Sequence, residues 1–138
     1  KIYFLTLLLA LFFAKTTLSK NSYFAEAEKL FIEKKYSKSK FKFEKDIVFN
    51  PKNEKSYLYL AKIFNEEKNE IMEEQNLNTV ILLNPQNEEA VFLLALLKIK
   101  KSDYSESEKL IKNFKKICKM LCEKEKELQT KLKSLQPK

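Results

Sequence analysis

The sequence predicts an all-α chain, a helical-repeat solenoid of helix-turn-helix units closed by a C-terminal capping helix. Three observations predict it. The hexapeptide Phe49-Asn50-Pro51-Lys52-Asn53-Glu54 returns as Leu83-Asn84-Pro85-Gln86-Asn87-Glu88, every position moved by 34 residues, and self-similarity at that period marks stacked helical hairpins. Between the copies, apolar residues recur three and four apart, the period of a helix buried on one face. Each copy also carries a proline that bars α geometry to the asparagine before it, so helices stop at the same place in each period.

Composition removes whole classes of chemistry. The 138 residues include no Gly and no His, and all 27 basic residues are Lys. Phosphate-cradling loops need backbone conformations that only Gly takes freely, which excludes dinucleotide and P-loop folds. Without His, the Ser-His and Cys-His pairs and imidazole metal sites cannot be assembled. Two Cys do not fill a closed four-ligand zinc site. No catalytic residue, metal or cofactor is therefore expected, and the chain reads as a non-enzyme.

The charge is uneven. Residues 20–97 hold 12 Lys against 13 acids, and residues 98–138 hold 13 Lys against 6 acids, so nearly all of the net +8 is C-terminal. A basic face attracts acidic protein, anionic lipid or nucleic acid. The absence of Arg removes the preferred residue for bidentate phosphate and guanine contacts, so nucleic acid is not the expected partner.

Residues 1–19 open on Lys1, run from Ile2 to Ala14 with Thr6 as the one polar residue, and end in Thr17-Leu18-Ser19. That is the pattern of a signal peptide cut after Ser19, too short for an ordinary membrane span. The expected location is outside the cytoplasm, in a bacterial periplasm. The alternative is an N-terminal membrane anchor that stays uncut and gives membrane contact through residues 1–19.

Helical periodicity then takes over. Tyr23, Phe24, Ala27, Leu30 and Phe31 mark one stripe of a helix ending near Lys35, and a second helix runs from Tyr36 to Phe49 with Phe41, Phe43, Ile47 and Val48 inward. Asn53 can cap a third helix, carrying Tyr57, Leu58, Leu60, Ala61, Ile63 and Phe64. Beyond Lys68-Asn69, a fourth carries Ile71, Leu77, Val80, Ile81 and Leu82 to the stop at Pro85. Asn87 can cap the fifth, and Asp103 with Glu106 makes a capping-box-like start for the sixth. No Gly or Pro interrupts the chain from there to Gln136, and Ile111, Phe114, Cys118, Leu121, Leu128, Leu132 and Leu135 keep helical spacing except at Glu125. The end of an array needs such a segment as a cap over its last apolar face.

These residues resemble the tetratricopeptide repeats (TPR), whose units are 34-residue helical hairpins. Ala27, Ala61 and Ala95 stand where that family places a small residue, and Tyr23, Tyr57 and Val91 where it places a large one. Leu30 and Phe64 take its next packing position, Tyr36 and Tyr104 its aromatic, Phe43, Leu77 and Ile111 its later core position, and Pro51 and Pro85 its terminal proline. The resemblance gives three units, 20–53, 54–87 and 88–121, with 122–138 as capping helix and tail. Departures are Glu73, where units one and three carry Ser39 and Ser107, Glu70 in place of Tyr, and Lys98 in place of a large apolar residue; they suggest loose packing or a register shift in unit two. The family's turn Gly is Lys34, Lys68 or Ser102, which leaves Asn69 and Asp103 as the expected left-handed residues.

The resemblance implies a groove, lined by the first helix of each unit, that receives a protein or peptide segment. Carried over by repeat position, its lining is Phe24, Glu28 and Phe31, then Leu58, Tyr59, Lys62 and Asn65, then Phe92, Leu96 and Ile99. An alternative is that the C-terminal helix folds back over Phe24, Phe92 and Leu96. The Lys and Asn clamp by which some members hold a terminal carboxylate is not reproduced, because Phe24 and Glu28 stand in its first two places. Cys118 and Cys122 are four apart, too far for a bridge across an intact helix. A disulfide forms if the helix breaks near Met120; otherwise the thiols stay reduced. The expected function is a scaffold of the cell envelope binding a partner segment, with oligomeric state left open. The alternative is a basic surface protein that meets anionic lipid or polyanion through its Lys-rich C-terminal helix.

Overall fold

Seven helices make up the described residues, 22–135, of the computed structural model: α1 (Ser22–Ile32), α2 (Tyr36–Phe49), α3 (Glu54–Glu66), α4 (Glu70–Leu83), α5 (Glu88–Lys100), α6 (Tyr104–Ile117) and α7 (Lys124–Leu135). The expected all-α repeat is met. From Tyr36 to Glu70 to Tyr104, and from Glu54 to Glu88, helices start again every 34 residues, with no register shift at α4. The opening segment 1–19, with its expected signal or anchor, lies outside the described residues. Among those described, no helix is long and apolar enough to cross a membrane.

One turn closes every hairpin. Lys34, Lys68 and Ser102 take positive φ, at 56°, 58° and 58°. Each donates its N–H three residues back while its successor donates five back, as in Lys34 to Phe31 and Lys35 to Leu30, both at 2.9 Å. This is a Schellman closure, and it puts the left-handed residue at the family's Gly position. The expectation for Asn69 and Asp103 is corrected: their φ values are −92° and −84°. They serve as N-caps, accepting from the N–H of Met72 at 3.2 Å and of Glu106 at 3.3 Å, which requires negative φ. Asn87 caps α5 through the Ala90 N–H at 2.9 Å. Asn53 does not cap α3 through its side chain; its amide donates instead to Ser56 Oγ at 3.1 Å.

The chain divides after Pro51 into two compact units. In the first, α1 and α2 close on Ala27 and Phe43, both fully buried, with Ser39 Oγ donating to the Ala27 carbonyl at 2.8 Å. Left-handed Lys34 ends α1 at Ile32, short of Lys35. Two expected core residues, Phe41 and Val48, are exposed, because Ser39, Phe43 and Asp46 define the buried face of α2 and these two point the opposite way.

In the second unit α3 packs on α4, α4 on α5, and α5 on α6, while α7 lies against both α5 and α6. Glu73, Asn76, Leu77 and Val80 form the buried face of α4, so Ile71 and Leu82, expected inward, are also exposed. Glu74 on α4 accepts from Lys98 on α5 and from Lys101 just past its end, which explains how a lysine is tolerated at an apolar position of the repeat. Leu128 and Leu132 anchor α7, and Leu128 falls 34 residues after Leu94 and 68 after Leu60, all buried. The cap thus sits where the opening helix of another repeat would.

The seam does not continue as one helix. Helix α6 ends at Ile117, the chain runs out of helical geometry to Lys124, and Cys118 and Cys122 are joined, their Cα atoms 5.1 Å apart. Glu88, at the start of α5, holds this segment by accepting the N–H groups of Met120 at 3.0 Å and Leu121 at 2.9 Å. Hydrogen bonds from the Lys119, Leu121 and Met120 backbones keep the Glu88 carboxyl below its ordinary value. A depressed carboxylate contributes stability above its unfolded pKa that is lost as pH falls through the folded value. Glu88→Gln is therefore expected to flatten the acid limb of stability against pH, measured by urea unfolding from neutral pH down to about pH 3; superimposable acid limbs would count against this contact.

Candidate functional site

Within the second unit, the end of α3, the start of α4, the outer half of α5 and the end of α7 surround an open hollow of about 570 Å³. Its walls are Leu93, Leu96, Leu97 and Ile99 from α5, with Leu135 and Ser134 from α7; Asn65, Glu73, Lys100 and Lys131 supply the polar groups. The helical period explains the set: Leu93, Leu96, Leu97 and Lys100 lie three and four apart on one side of α5.

Glu73 is the unusual member. Its side chain is 4% exposed, Oε1 accepts from Asn65 Nδ2 at 3.0 Å, and Oε2 has no hydrogen-bond partner. Burial pushes its carboxyl above the ordinary value, against the lowering influence of the Asn65 amide and the Lys100 charge. The two lysines of the hollow are paired elsewhere, Lys100 with Glu70 at 2.8 Å and Lys131 with Glu127 at 3.1 Å.

Of the residues carried over by repeat position, Asn65, Leu96 and Ile99 line this hollow together. Lys62 pairs with Glu89 at 2.7 Å and lies 5.1 Å above the Tyr59 ring, on the neighbouring surface of α3. Leu58 and Phe92 are buried in the core, where the Phe92 ring meets Phe114 at 6.0 Å and Lys124 of α7 lies 5.7 Å above it. Leu96 stays half-buried. Phe24, Glu28 and Phe31 belong to the first unit, Phe24 against Phe43 at 5.7 Å and Phe31 against Tyr36 at 5.5 Å. Lining by first helices alone would not find Glu73, which sits on a second helix, although its departure from the repeat pattern marks it. Among the described residues, no cluster of His, Cys, Asp and Glu is placed to hold a metal.

No protein-family model and no curated protein matches this sequence. Solved structures do. The TPR2B domain of yeast Sti1, in complex with pHsp70, superposes with a TM-score of 0.79 over 87% of this chain and 100% of its own, at 12% identity. The first TPR of Spaghetti (RPAP3), bound to the HSP90 peptide SRMEEVD, gives 0.74 over 84% and 92%, at 17% identity. The Sgt2 TPR domain from Aspergillus fumigatus gives 0.71 over 86% and 80%, at 14% identity. At such low identity the likeness speaks to architecture, and the architecture of this chain is a TPR-like array of helical hairpins.

Proposed function

We propose that the chain is a non-enzymatic interaction module of three 34-residue units that holds a partner segment in the hollow between α3, α4, α5 and α7. The observation that carries this reading is the meeting of Asn65, Leu96 and Ile99, chosen by repeat position alone, on one accessible concavity. The pHsp70 complex of the Sti1 domain and the HSP90-peptide complex of the RPAP3 domain support it by analogy of fold. The apolar run from Ile2 to Ala14 supports placing the module in a cell envelope. The basic-helix alternative is weakened because Lys124 and Lys131 of α7 pair with Glu127.

The test is selection of displayed random peptides on the full chain, followed by affinity measurement. Peptides recovered on the intact chain are expected to lose at least about tenfold in affinity, about 1.4 kcal/mol, on Leu96→Asp, which alters the wall of the hollow, with helical circular dichroism unchanged. Recovery of only polylysine-sensitive, salt-labile acidic peptides that ignore Leu96→Asp would transfer the function to the basic helix.

A further inference from the structure

The carboxyl group of Glu73, one of the residues lining the hollow, is the part of the site that a general peptide groove does not need. A buried polar atom without a partner costs free energy, and native proteins tolerate few of them. Glu73 Oε2 is such an atom, on a side chain that is almost wholly buried and that lines an open concavity. At the same position of the repeat, Ser39 and Ser107 are fully buried and their hydroxyls donate to main-chain carbonyls, Ala27 at 2.8 Å and Asp103 at 2.7 Å. Unit two alone puts a carboxyl group there, with one oxygen unbonded.

Resting on the reading of this hollow as a peptide site, we propose that Glu73 Oε2 receives the ammonium of a lysine side chain on the partner segment, whose methylene stem lies between Leu93, Leu96 and Ile99. The chemistry of the donor set selects this occupant. Oε1 is already engaged by the Asn65 amide, so one oxygen remains, which suits a point donor better than the two-pronged guanidinium of arginine. The walls are aliphatic, matched to a four-carbon stem that buries its length while its charged tip seeks an acceptor. Lys100 and Lys131 line the hollow but bond Glu70 and Glu127, and although the Lys100 charge acts on Glu73, neither lysine bonds Oε2. An acidic side chain would meet the reverse arrangement, a carboxylate facing a carboxylate. An arriving ammonium also favours the ionised form of Glu73, undoing the upward push of burial.

The experiment compares peptides selected from the same random display library on the full chain and on its Glu73→Gln variant, an isosteric change checked for folding by circular dichroism. Peptides from the intact chain are expected to share a lysine at a fixed place. Replacing that lysine by norleucine, which keeps the stem and removes the ammonium, should weaken binding at least about tenfold on the intact chain and less than about twofold on Glu73→Gln. Peptides that depend on Leu96 but share no lysine, or that lose equally on both chains, would overturn the lysine assignment and leave the module standing. Peptides indifferent to Leu96→Asp, or none recovered, would overturn both. Selective binding of n-butylamine without any lysine-dependent peptide would also overturn it, in favour of a small-amine site.

Discussion

Phe114→Ala is expected to lower the unfolding free energy by about 3–5 kcal/mol, the usual cost of truncating a fully buried phenylalanine. Its side chain is 0% exposed, on the inner face of α6 against the Phe92 ring of α5. It occupies the repeat position held by Val80 34 residues earlier, so the packing around it is set by main-chain geometry and has little freedom to collapse into the void. In urea the midpoint should fall with the slope unchanged, and the melting temperature should drop by roughly 10 °C or more. A loss below about 1 kcal/mol would place Phe114 outside the core and undo the packing of α6 on α5 described above.

Leu128→Asp is the second large effect, and a local one. Leu128 is fully buried where α7 meets α5 and α6, the two helices on which the cap rests. Removing a buried leucine costs about 2–5 kcal/mol, and an unpaired carboxylate in its place adds a desolvation penalty. The variant escapes that penalty by releasing α7, so the amides of residues 124–135 should exchange at nearly unprotected rates while those of α3 and α4 keep their protection. The bond from the Tyr104 hydroxyl to the Leu135 carbonyl, 2.7 Å long, should go with it. Retained protection in α7 would show that the cap is held by something other than its two leucines.

Much of the fold was legible because it is periodic. Pro51 and Pro85 marked the stops and Asn87 and Asp103 two helix starts from local chemistry, while the family resemblance placed Ala27, Ala61 and Ala95, all buried, at its small-residue position. What escaped the sequence depends on partners far along the chain. The break between Cys118 and Glu123 was legible only as one of two outcomes for the Cys118 and Cys122 pair, since no Gly or Pro is there; the Glu88 carboxylate, 32 residues before Met120, takes the N–H groups that a continuing helix would use. Likewise Phe41, Val48, Ile71 and Leu82 look like core residues by type, and only the packing of each hairpin decides which side of the helix is covered. Glu73 stood out as a departure from the repeat, but its place in the lining of a hollow was not readable from one position.

The three left-handed turns carry a consequence for the order in which the hairpins assemble. A lysine or serine at positive φ is disfavoured by about 1–2 kcal/mol relative to helical backbone, and Lys34, Lys68 and Ser102 have no Gly-like freedom to offset it. Such a turn is a poor nucleus for its own hairpin, so each is expected to set late, and substitutions there should alter unfolding rates more than folding rates.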